Sequence, residues 1–122
     1  MRFISMVKTA EAGPPGPALM GAIGKLAQEM AQSGVLAEMG GLLPSARGAR
    51  MRLARGGITV TDGPFTESKE LVGGYAIFDV RSKAEAIELG RRFLSVHADI
   101  LGPEYEMELE LRELFDPPVG RS

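Results

Sequence analysis

The sequence contains no cysteine and no tryptophan, a single histidine, and only 6% aromatic residues. Without cysteine there is no thiol nucleophile, no disulfide framework and no thiolate zinc site. One imidazole, His97, cannot build a multi-histidine metal centre. Any metal would have to be a hard ion held by oxygen ligands, and neither a metal nor a cofactor is expected. Long apolar runs are missing as well. The segment 1–8 is too short and too interrupted for a signal peptide or a membrane span, so the expected location is cytoplasmic. Nor is there an excess of positive charge: 14 Lys+Arg stand against 16 Asp+Glu. A chain of net charge -2 lacks the basic field that nucleic acid or an anionic membrane attracts.

What is present suits a folded domain. With 44% hydrophobic and 25% charged residues over 122 positions, one core can form. The organisation expected is a single domain over 1–115 and a loose, proline-bearing tail over 116–122.

Periodicity supplies the elements. Residues 2–8 read as a strand with apolar residues on both faces. Gly13-Pro14-Pro15-Gly16-Pro17 then interrupts regular structure, as a connector or as a lid over a site. Leu19, Ile23, Leu26, Ala27 and Met30 recur at helical spacing over 18–33, with Gly34 placed for a left-handed cap. Within that helix, Gly21 and Gly24 offer room for a close neighbour. A strand is expected over 35–42. Residues 50–55 and 58–61 alternate about Gly56-Gly57, the expected two-residue hairpin turn. Asp62-Gly63-Pro64-Phe65 is a tight turn. A further strand runs over 74–80. Ser82 and Glu85 form a capping box that opens a helix over 83–98, where Glu88 and Arg92 are spaced to pair. Tyr105, Met107, Leu109 and Leu111 alternate with charged residues, which predicts a half-buried strand over 105–114.

This order is the ferredoxin-like α+β plan: an antiparallel sheet with two helices on one face and an added hairpin. The other sheet face needs cover, which a second copy supplies, so a homodimer is expected. The acidic stripe Glu106, Glu108, Glu110 is a partner for Arg50 and Arg52 across strands or subunits, or else a solvated face.

The run Thr61-Asp62-Gly63-Pro64-Phe65-Thr66-Glu67-Ser68-Lys69-Glu70, followed by Gly73-Gly74-Tyr75, resembles the signature of YCII-related proteins of the DGPF subgroup. Lys8, Ala12-Gly13-Pro14, Ser33-Gly34-Val35-Leu36, Gly41-Leu42-Leu43-Pro44-Ser45 and Lys83-Ala84-Glu85-Ala86 extend the likeness. Phe93-Leu94-Ser95-Val96-His97 and Leu101-Gly102-Pro103-Glu104-Tyr105-Glu106 carry it into the C-terminal half. The resemblance implies a dimeric α/β-barrel-type domain with a cleft between helices and sheet. It also implies a His/Asp active site, lyase chemistry on small aromatic substrates in some relatives, and an association with extracytoplasmic-function sigma factors. One departure stands out. Where relatives commonly have Ala-Gly-Glu-Gly, this chain reads Ala37-Glu38-Met39-Gly40-Gly41, which displaces the glutamate.

Asp62 is the first candidate for a general base, at a strand end with Gly63 admitting a ligand to the backbone and Phe65 as an apolar wall. The same carboxylate suits a turn-capping role. His97 is the candidate acid, or a core residue on the helix face shared with Ala86, Gly90 and Phe93. Lys69 and Lys8 are candidate anion contacts, Glu67 a further ligand contact, and Tyr75 a site residue near a strand end. Three readings follow: a small-molecule cleft with cofactor-free acid/base activity, a non-enzymatic ligand-sensing or protein-binding accessory, or a dimeric scaffold with no ligand.

Overall fold

The first strand, β1, runs over Arg2–Lys8, and Met1 is tied beside it by its ammonium, which donates to the carbonyl of Val80 at 2.8 Å. The computed structural model describes residues 1–9, 15–65 and 71–115. Helix α1 (Pro17–Gln32) opens on Pro17, whose fixed φ suits the first turn. It closes at Gly34 with φ +82°. There the Val35 amide bonds the carbonyl of Met30 and the Gly34 amide that of Ala31, a left-handed cap that only glycine takes at little cost. Strand β2 follows (Leu36–Gly41), then a short 3₁₀ turn (Ser45–Arg47). Strands β3 (Ala49–Ala54) and β4 (Gly57–Asp62) form a hairpin, and β5 spans Val72–Asp79. Helix α2 (Lys83–Leu101) and strand β6 (Glu108–Glu113) complete the described chain.

The main sheet has the order β2-β5-β1-β6 with antiparallel neighbours. This α+β arrangement, with two helices on an antiparallel sheet, is consistent with a ferredoxin-like fold. The hairpin forms its own two-stranded sheet. Both helices pack on one face of the main sheet. Leu26 and Met30 of α1 and Ala86 and Leu89 of α2 close over Phe3, Ala76 and Phe78. Burying side chains of this size stabilises by about 1.5–3 kcal/mol each. Across the outer surface, Arg92 of α2 reaches Glu29 of α1 at 2.8 Å.

Several expectations are corrected. The hairpin turn is Arg55-Gly56, both with positive φ (51° and 77°), and Gly57 already pairs with Ala54 in the strands. Arg92 bonds α1, so Glu88 pairs with Arg91 instead. The second helix continues to Leu101, three residues past the expected end. Half of the capping box holds: Ser82 Oγ accepts from the Glu85 amide, while Glu85 accepts from the Arg81 amide. The last strand starts at Glu108, not at residue 105. No side-chain atom lies within 4 Å of a Cβ built at Gly21 or Gly24, so neither serves a close approach. Arg50 and Arg52 sit in the separate hairpin, and the neighbour of β6 is β1. The tail 116–122 and the loop segment 10–14 lie outside the described residues, as do Glu67 and Lys69. Among the described residues, no helix is long and apolar enough to cross a membrane.

Candidate functional site

The two faces of the main sheet differ in chemistry. On the helix side, the described residues leave an apolar void of ≈ 20 Å³ lined by residues such as Ile23, Met30, Met39, Phe78 and Phe93. It has room for about one water and offers no polar partner to hold it. Among the described residues, the void lined by these side chains is too small for a substrate. An open groove of ≈ 430 Å³ runs along the outer surface of the two helices, past Lys25, Glu29, Arg92, Ser95 and Asp99. Its Arg92–Glu29 pair is half exposed, of the kind worth little to stability.

The opposite face carries the polar pairs. Met6 in β1 has Tyr75 of β5 as its register partner on one side and Glu110 of β6 on the other. Gly40 of β2 lies beyond Tyr75 in the same row. A Cβ at Gly40 would fall 2.8 Å from Cε1 of Tyr75, so the glycine is what lets the ring lie across β2. The Tyr75 hydroxyl then donates to the Glu38 carboxylate. That acceptor bond, with some burial, holds the phenol above its ordinary value, so Tyr75 is a neutral donor at physiological pH. On the other side of Met6, Lys8 Nζ donates to Glu110 at 2.8 Å, and Arg112 donates to the same carboxylate at 3.3 Å. The Lys8 bond first, then the Arg112 bond, pulls the Glu110 carboxyl below the usual range. Ile4 and Ile77, half-buried, continue the apolar middle of this face.

Lys8 and Tyr75 are thus brought to one region by adjacent strands, as diagonal neighbours about Met6. Sequence reasoning missed Glu38 and Glu110 as their partners. Glu110 was visible as part of an acidic stripe. Glu38 had a signal too, as the displaced glutamate two residues before a glycine.

The remaining candidates lie elsewhere. His97 is buried on the helix side, where its Nδ1 lies 2.9 Å from the carbonyl of Phe93, one turn earlier. Its ring centroid is 4.6 Å from that of Phe93 and 6.4 Å from that of Tyr105, whose hydroxyl lies 3.4 Å from Thr9 Oγ1. Asp62 is exposed at the end of β4, opposite Ala49. No hydrogen bond, ion pair or ring contact joins Asp62 to His97 among the described residues. Gly63 is packed against the 3₁₀ turn. A Cβ there would fall 1.7 Å from the carbonyl oxygen of Ser45, so the missing side chain admits the chain's own backbone. The Gly63 amide bonds the carbonyl of Gly48 and the Phe65 amide bonds Ser45 Oγ, both at 3.0 Å. The Arg50 guanidinium lies 4.2 Å above the Phe65 ring centroid. This turn anchors the hairpin to its base.

Residues 1–101 match the YCII-related domain. A stretch of 60 residues is 35% identical to an uncharacterized protein of Rhizobium meliloti (strain 1021). It covers 49% of this chain and 48% of that protein, so the chain spans about half the length of the curated relative it matches.

Proposed function

The chain belongs to the YCII-related family, and from that premise we propose a small-molecule binding site on the open sheet face rather than beneath the helices. The observation that supports this is the division of the two faces. Among the described residues, the helix side holds an apolar void of only ≈ 20 Å³, while the open side presents Tyr75 on Glu38 and Lys8 on Glu110 on either side of Met6. An apolar floor flanked by a few polar groups is a usual make-up of a ligand site, and here the two pairs stand on opposite sides of Met6. The ligand class that fits is a small amphipathic molecule. Its body rests on Met6 and Ile77, with a carbonyl or hydroxyl toward the Tyr75–Glu38 pair at one end and a carboxylate toward Lys8 at the other. Any reaction there is cofactor-free proton transfer. Tyr75 passes its proton to the ligand, Glu38 takes the proton the ligand releases, and Glu38 returns it to the Tyr75 phenolate across their hydrogen bond, the acid/base chemistry that the family resemblance implies.

The test is a thermal-shift screen of wild type, Tyr75→Phe and Lys8→Met against small aromatic and aliphatic carboxylic acids. A ligand at 100 times its Kd adds about 2.7 kcal/mol, roughly 8–15 °C for a domain of this size. Hits lost in both variants support the site. Hits kept in both, or no hit with folded protein, refute it.

A further inference from the structure

Lys8, the cation of the ligand site proposed above, already has a carboxylate on it. Strand β6 sets Glu110 opposite Met6 and Arg112 opposite Ile4, and strand alternation keeps both on the open face with Lys8. Glu110 Oε1 accepts from Lys8 Nζ at 2.8 Å, and Glu110 Oε2 accepts from Arg112 at 3.3 Å. Each oxygen thus has its own cation, and turning away from Lys8 leaves the carboxylate paired with Arg112. The two ends differ in setting. The side chains of Lys8 and Glu110 are 20 and 33% exposed, whereas that of Arg112 is 70% exposed. The Arg112 end opens to water, while the Lys8 end borders the apolar floor. Glu108 stands opposite Lys8 in register, yet among the described residues it forms no ion pair with it.

We propose that Glu110 is a built-in occupant of the Lys8 subsite, which a ligand carboxylate displaces onto Arg112. This rests on the ligand site proposed above and adds what regulates it. The step exchanges one ion pair for another. The ligand carboxylate takes Lys8 Nζ, Glu110 keeps Arg112, and no proton moves. The bond to Lys8 first, then that to Arg112, holds the Glu110 carboxyl below its ordinary range, so the occupant is an anion at neutral pH. A charge-assisted hydrogen bond is roughly twice as strong as a neutral one. A neutral amide or carbonyl therefore cannot displace Glu110, and the Lys8 end of the site selects a carboxylate.

The experiment is titration calorimetry at about 0.15 M salt, where exposed charges are screened. Para-hydroxybenzoate is the carboxylate probe and para-hydroxybenzamide the neutral one. The proteins are wild type, Glu110→Gln, Glu108→Gln, Arg112→Gln and the Glu110→Gln/Arg112→Gln pair, each with its fold checked by far-ultraviolet circular dichroism. Glu110→Gln should bind the carboxylate about 10-fold tighter than wild type and the amide no tighter. Glu108→Gln removes the same charge from the same row and should gain far less. Arg112→Gln should weaken carboxylate binding about 5-fold alone and leave it nearly unchanged in the Glu110→Gln background, the coupling expected if Arg112 acts by receiving Glu110. Equal carboxylate affinity in wild type and Glu110→Gln, an equal gain in Glu108→Gln, or an equal gain for the amide overturns the displacement and leaves the ligand site standing. So does an Arg112→Gln loss that persists in the Glu110→Gln background, because Arg112 then holds the ligand itself. Binding of neither probe to any of these folded proteins overturns the ligand site, and the displacement with it.

Discussion

The Tyr75 ring lies over Gly40 closely enough that a single methyl would meet Cε1 at 2.8 Å and Cζ and Oη at 3.2 Å. The phenol–carboxylate pair with Glu38 therefore depends on a residue that contributes no side chain. Gly40→Ala should move the ring off β2 and break the pair, with a stability loss of about 1–2 kcal/mol. Crystallography of the variant, or loss of the Tyr75 hydroxyl proton signal in NMR, checks the displacement.

Tyr75 should ionise above the ordinary phenol value of 10.0, since its first cause of elevation is the bond to Glu38. A raised folded value means stability that is present below 10.0 and lost as pH climbs through the folded value. Absorbance at about 295 nm, compared between wild type and Tyr75→Phe, isolates this titration. Glu38→Gln should lower it. An unchanged midpoint in Glu38→Gln would sink the assignment.

Glu110 works in the opposite sense. Its folded carboxyl is held below 4.5 by Lys8 first and Arg112 second. The stabilisation is present above 4.5 and lost as pH falls through the lowered value. Lys8→Met should cost stability at neutral pH, and its gap from wild type should narrow as pH falls below 4.5, measured by urea midpoints.

Gly63→Ala should be among the most damaging single changes, costing about 3 kcal/mol or more, because the new methyl meets backbone at 1.7 Å and no rotamer can relieve it. The damage should be local. Exchange protection in the hairpin should fall while that of β1 and β5 is kept.

Gly21→Ala and Gly24→Ala should do the reverse. Both positions are exposed inside α1 with open space at the built Cβ. Each alanine should stabilise by about 0.5–1 kcal/mol, read from thermal midpoints, and the two should add.

The elements the sequence shows best are those specified locally. The bounds of β1, the left-handed Gly34 and the Ser82 cap all depend on residues within a few positions of one another. The misses depend on partners. The alternation from Tyr105 reads as one strand, yet β1 reaches only Lys8, which pairs with Glu108, so the residues before it have no strand to bond. Arg92 has Glu88 at helical spacing, but Glu29 on another helix takes it. The hairpin loop slips by one because Ala54 pairs with Gly57, which leaves the left-handed position to Arg55. The site follows the same rule. Lys8 and Tyr75 are legible as strand-end residues, whereas Glu38 and Glu110 acquire their meaning only from the register across β2-β5-β1-β6.

The two tyrosines fall on opposite sides of the sheet, Tyr75 beside a carboxylate and Tyr105 stacked near His97. With no tryptophan to mask them, they are the chain's intrinsic fluorophores, one for each face. Replacing either tyrosine by phenylalanine leaves an optical signal that reports on one side of the molecule alone.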